Sequence, residues 1–183
     1  MQRYVVILLL FLTTISSAMA DTTGSLIQRV DSIMDNISQI YGKKQARIDF
    51  YKNMAEKSRK PETLLSAYDK LYDEYFVFQF DSAMVYVDKA IQLADRIGDK
   101  YHHDKSRIEK ASLLAVGGLY GEAIGLLGEI DSVKLDEGLR FTYTITHYYV
   151  YTYWADYCHD NMYSPRYRDR ADSYLKQAVA MLR

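Results

Sequence analysis

The chain has 183 residues, 49% of them apolar, with 23 basic and 24 acidic side chains, two prolines, nine glycines and one cysteine. A formal net charge of −1 gives no general attraction to a polyanion, and a lone Cys158 excludes an intramolecular disulfide framework. This much apolar residue with so little proline and glycine also excludes a disordered chain, so a fold of this length has to rest on its hydrophobic core.

Residues 1–20 predict a signal peptide. Arg3 makes a short basic start, Tyr4 to Leu12 form an apolar run, and Ala18-Met19-Ala20 places small residues where a signal peptidase reads them. Cleavage after Ala20 would export the chain to the periplasm with every charged residue but Arg3. The run is shorter than the roughly 20 residues of a transmembrane helix, which makes an uncleaved anchor the lesser alternative. No cysteine follows the small residues, which disfavours a lipid anchor there.

Residues 21–60 predict an N-terminal amphipathic helix. Leu26, Val30, Ile33, Ile37 and Ile40 are spaced four, three, four and three, and the seam resumes at Ile48, Tyr51 and Met54 or Ala55. One long helix or two shorter ones end near Arg59-Lys60-Pro61, where proline disfavours helical geometry at Lys60 and suits the start of the next helix. The seam could pair with another chain, but docking on the repeats behind it is the expected use, because two heptads are marginal for a free coiled coil.

Residues 61–183 predict about three helical hairpins. The first carries Leu64, Leu65, Tyr68, Leu71, Tyr72 and Tyr75, then Ala83, Val87, Ala90, Ile91 and Ala94, and closes at Gly98-Asp99. The second runs from about Lys105 through Ile108, Ala111, Leu114 and Ala115, turns at Gly117-Gly118, returns through Ala123, Ile124, Leu127 and Ile130, and closes at Gly138. One pattern occurs in both: Phe80-Asp81-Ser82-Ala83 with Ala90 seven later, and Tyr120-Gly121-Glu122-Ala123 with Ile130 seven later. Each predicts an aromatic that closes a first helix and a small residue that lets the second approach, and the period of forty indicates stacked units. In the third unit, Phe141 to Tyr149 alternates like a strand. A lone strand would leave backbone groups unpaired, and Phe141, Ile145, Tyr148, Thr152 and Ala155 fit one helical face, so a helix is predicted. Ser164-Pro165 breaks the chain before a last helix with Ala171, Leu175, Ala178 and Leu182.

With Ala111, Leu114, Gly118, Tyr120, Ala123 and Leu127 in these positions, residues 62–183 resemble the tetratricopeptide repeat (TPR) family. Arg107 stands where that family often has tryptophan, and the first two units lack the proline that closes the second helix. The resemblance implies an all-α array of antiparallel helical hairpins, an α-solenoid, preceded here by a long N-terminal helix. A closer resemblance is to exported TPR regulators typical of Bacteroidetes. It rests on Gln45-Ala46-Arg47-Ile48-Asp49, on Tyr72-Asp73-Glu74-Tyr75 with Phe78-Gln79-Phe80-Asp81-Ser82-Ala83, and on Ala94-Asp95-Arg96-Ile97-Gly98-Asp99. That resemblance implies the sensory part of a signalling or transcriptional regulator, whose longer members continue into a transmembrane helix, a coiled coil and a helix-turn-helix segment. The present chain then reads as a fragment or truncated member.

No catalytic, cofactor or metal site is predicted. Adjacent His102 and His103 point about 100° apart on a helix and read as a solvated turn, and Cys158-His159 fails as a nucleophile and base for the same reason. The chain shows no phosphate-cradling loop, zinc spacing or nucleophile elbow. The segment from Phe141 to Tyr163 instead holds seven of the 18 tyrosines. Tyr149, Tyr151, Tyr153, Trp154 and Tyr157 are its candidate binding residues, because such rings join apolar area to a polar tip, and the competing reading makes the cluster an aromatic core. Tyr163, Arg166, Tyr167, Arg168 and Arg170 interleave rings and cations, but export and net charge argue against nucleic acid as a partner. The prediction is a non-catalytic module for a protein or peptide, with a homo-oligomer left open and membrane contact only through an uncleaved signal or a missing C-terminal part. The alternative is a secreted module that binds a ligand or carbohydrate on an aromatic platform.

Overall fold

The computed structural model describes residues 2–182, with side chains described from Gly24 onward except for Asp35. The signal-peptide reading of residues 1–20 therefore rests on side chains outside the described residues. Among the described residues there are seven α-helices and no strand: α1 Gln2–Lys57, α2 Pro61–Tyr75, α3 Phe80–Ile97, α4 Lys100–Val116, α5 Tyr120–Gly128, α6 Glu137–Cys158 and α7 Tyr163–Ala180, with one 3₁₀ turn at Ser132–Lys134. None of the helices is long and apolar enough, over the described residues, to cross a membrane.

The chain divides into two compact units, Met1–Ala46 and Arg47–Arg183. In the first, Leu26, Val30, Ile33, Ile37 and Ile40 are all exposed. The second begins inside α1, ahead of the boundary that Pro61 suggests, because Ile48 is buried with Leu71, Tyr75, Ala83 and Val87. Arg47 also makes a two-pronged ion pair with Glu74 of α2, at 2.5 and 3.0 Å. Lys60 is extended (ψ 123°) as a residue before proline must be, and that ends α1 and frees Pro61 to open α2.

The three hairpins of the second unit are α2–α3, α4–α5 and α6–α7. Adjacent helices pack in sequence, and α4 also packs on α6. Tyr72 of α2 donates its hydroxyl to the Glu109 carbonyl of α4 at 2.8 Å, so the first helices α2, α4 and α6 form one layer. Ala83, Ala94, Ala111 and Ala123 are fully buried, as close crossings between helices require. Ile108, Leu114, Leu127 and Val150 surround Ala123 in the largest core cluster.

The turns use local chemistry. Gly98 closes α3 in the left-handed region (φ 72°), and Asp99 opens α4 by accepting from the His102 backbone N–H. Gly118 (φ 81°) ends α4, with Gly118 N–H donating to Ala115 and Leu119 N–H to Leu114. A Cβ on Gly117 would stand 2.7 Å from the Phe80 ring, so a larger residue there would have to displace that ring.

Several local expectations are corrected. Phe80 and Tyr120 open the second helices rather than closing the first ones. His102 and His103 lie in the first turn of α4, not between helices. Gly138 lies inside the first turn of α6, because Asp136 caps that helix through Leu139 N–H at 2.9 Å. α5 stops at Gly128, and Ile130 and Leu135 reach the core from the irregular stretch that follows. The break before the last helix falls at residues 159–162, where His159 is left-handed (φ 46°). Pro165 sits in the first turn of α7, where its missing N–H costs nothing. The β-rich stretch is helical, but its fully buried face carries His147, Val150, Tyr151 and Ala155; of the predicted set only Ala155 shares it.

Candidate functional site

Side chains of α4 and α6, with Phe76 from the C-terminal end of α2, line an open groove of about 330 Å³ on the layer of first helices. Ala115 and Val116 contribute from α4, and Ile145, Tyr149 and Tyr153 recur at one-turn spacing along α6. Val116 is 54% exposed, Tyr149 48% and Tyr153 42%, so the groove presents rings and an aliphatic side chain to solvent. The two rings stack on each other with centroids 6.1 Å apart and planes 26° apart. The polar groups of the lining are hydroxyls. Ser112 and Thr146 approach across the helices at 3.4 Å, and Ser112 also donates to the Ile108 carbonyl. No Asn, Lys or Arg lines this groove among the described residues.

The other end of the same layer is charged. About two turns separate Asp69 from Phe76 on α2, and Glu109 from Val116 on α4. There Lys105 bonds both Asp69 and Glu109. Burial pushes the Glu109 carboxyl up to about 7, while Lys105 pulls against that rise. The first helices thus carry an ionic end and an apolar, aromatic end on one face.

The five candidate residues do not act as one surface. Tyr149 and Tyr153 line the groove. Tyr151 is buried, only 4% exposed, with its ring against Tyr174 and Tyr167 and its hydroxyl accepting from Arg170 at 2.9 Å. It belongs to the α6–α7 packing, because residues two apart on a helix face different ways. Trp154 is half-buried and stacks on Tyr167 at 4.3 Å and Tyr120 at 5.8 Å, tying α5, α6 and α7 together. Tyr157 is 73% exposed beside Tyr120, away from the groove lining. Phe76, Val116 and Ile145 also line the groove; none of them is among the binding residues expected from the sequence, which places Ile145 on the packed face of its helix.

The remaining candidates are held in ordinary structural contacts. The His102 backbone N–H, and then His102 Nδ1 at 2.7 Å from Asp99 Oδ2, keep the Asp99 carboxyl below its usual range. Cys158 is a free, half-buried thiol at the end of α6. Arg168 pairs with Asp156 at 2.9 Å, so part of the cationic set of α7 is spent on α6. Arg107, at the position where a tryptophan is frequent, pairs with Glu129 instead. No group of three or more metal-ligating side chains occurs among the described residues.

His147 is buried at 4% exposure, and neither ring nitrogen has a hydrogen-bond partner among the described residues. Its ring stacks flat on Tyr174 at 4.4 Å and meets the Tyr143 ring edge-on at 4.6 Å. Burial pushes its pKa down to about 4, so the neutral imidazole serves as an aromatic packing element.

The model of one known family, described as the SusR N-terminal TPR domain, matches residues 34–183. No match is found among curated proteins.

Proposed function

The chain belongs to the family of SusR N-terminal TPR domains, and from that premise we propose that it is the exported, sensory part of a regulator, which captures a protein or peptide segment in the groove between α4 and α6. TPR domains in general mediate protein interaction. The observation that carries the reading is the exposure of Tyr149 and Tyr153, with Val116, on the face made by the first helices. Apolar anchors of a peptide would seat between the two rings and Val116, and the tyrosine hydroxyls with Ser112 and Thr146 would meet its backbone. The basic start, apolar run and Ala18-Met19-Ala20 of the leader support export to the periplasm. The proposed role is binding, in keeping with TPR domains, which are generally non-catalytic interaction modules.

A second reading has its own observation. A stacked pair of exposed rings without a lysine, arginine or asparagine beside it also suits the flat face of a small ligand such as a carbohydrate. One experiment separates the two. Tyr153→Ala and Tyr149→Ala should leave the unfolding midpoint within about 0.5 kcal/mol of wild type, as exposed substitutions do. Each should also weaken capture of a periplasmic protein partner, isolated by cross-linking through a photoreactive residue at position 153, by about 2 kcal/mol. Cross-linking to no protein, together with titratable binding of an oligosaccharide, would replace the first reading by the second.

A further inference from the structure

The helical segment of the first unit carries a bare apolar stripe. Leu26, Val30, Ile33, Ile37 and Ile40 lie between 45% and 63% exposed. Ile27 and Met34 flank them at 57% and 61%. Seven large apolar side chains, about half exposed or more on one helix face, exceed the few hundred Å² of contiguous apolar surface that soluble monomers leave bare.

The spacing says what covers it. Steps of four and three average 3.5 residues, the period at which a helix keeps one seam against another supercoiled helix of the same period. We propose that residues 26–40 are the pairing surface for a second copy of this chain, aligned parallel and in register. Val30 and Ile37 take one seam position, while Leu26, Ile33 and Ile40 take the other. Branched side chains at the first position suit a two-stranded pair.

Charge sets the direction. Arg29 and Lys43 both border the seam on the same side. In the antiparallel register that sets Val30 against Ile40 and Ile33 against Ile37, Arg29 meets Lys43 of the second copy. In a parallel pair Arg29 lies over Met34 of the second copy, where its aliphatic stem covers the thioether and no like charges meet. Two heptads are marginal for an isolated peptide because the first helical turn is costly. Here α1 continues past the seam to Lys57, so the seam extends a helix that exists without it.

The test uses the full chain as cells produce it, with Cys158→Ser to remove the native thiol. A single Leu26→Cys or Ile40→Cys brings like thiols together only in a parallel, in-register pair, because an antiparallel pair holds each far from its own counterpart. Mild oxidation should link each variant into a species of two chains. Ser32→Cys, on the outward face, should not link. Adding Val30→Glu with Ile37→Glu should abolish the link while the thermal unfolding midpoint holds, since these side chains are exposed. Light scattering of the exported chain should give the mass of two chains, and that of one with the double substitution. The proposal is overturned by a mass other than two chains, by a link that survives the glutamates, or by equal linking at position 32.

Discussion

Replacing His147 by phenylalanine should stabilise this protein, an unusual outcome for a substitution at a buried position. The imidazole is 4% exposed, lies flat on Tyr174 and has neither nitrogen hydrogen-bonded among the described residues. A buried polar group without a partner costs about 1–3 kcal/mol, and phenylalanine keeps the ring stack while removing that cost. The slightly larger ring must still fit between Tyr143 and Tyr174, which takes back part of the gain. The pH dependence gives a second handle. Burial lowers the His147 pKa from 6.5 to about 4, so the folded state favours the neutral ring. Its contribution is fully present above pH 6.5 and is lost as pH falls from 6.5 toward 4, which at 1.36 kcal/mol per pH unit amounts to about 3 kcal/mol. About 2 kcal/mol of this is gone by pH 5. Glu109 acts in the opposite sense. Its folded pKa is raised from 4.5 to about 7, so its contribution is present below 4.5 and lost as pH rises toward 7. The difference between wild type and His147→Phe cancels that carboxylate and isolates the imidazole. Urea unfolding at pH 7.5 should show the variant more stable by about 1 kcal/mol or more, and at pH 5 by about 2 kcal/mol beyond that. A variant less stable at pH 7.5, or a difference that does not change with pH, would refute the reasoning.

Other outcomes follow from the same structure. Ala123→Phe should overpack the crossing against Ile108, Leu114 and Leu127 and lower stability by about 1–3 kcal/mol in thermal or urea unfolding, whereas an unchanged midpoint would mean that the α4–α5 register is wrong. Asp136→Ala removes the side-chain cap from Leu139 N–H and should cost about 1 kcal/mol, with Asp136→Asn restoring most of it in the same assay. N-terminal sequencing of the exported chain should begin at Asp21, and recovery of the intact chain from the cytoplasm would end the export reading.

Much of the architecture is local and was therefore readable. The 3.5-to-3.6 spacing of Leu26 to Ile40, the alanines at Ala83, Ala90 and Ala123, the proline at the head of α2 and Gly98 at the end of α3 each act within a turn or two of the chain, where side-chain periodicity and backbone preference decide the outcome. Even the β-rich run after Phe141 is readable as helix, because a strand there would have had no partner. What the sequence left open depends on contacts between segments far apart. Tyr149, Tyr151 and Tyr153 look alike along the chain, yet Tyr151 is covered by Tyr167, Tyr174 and Arg170 of α7, while Tyr149 and Tyr153 line the open groove. The same holds for Gly117, where the approach of Phe80 restricts what fits, and for His147, whose ring nitrogens find no partner among the described residues once α6 and α7 are packed. Periodicity tells which side chains share a helix face, and the tertiary structure alone decides which of those faces another helix covers.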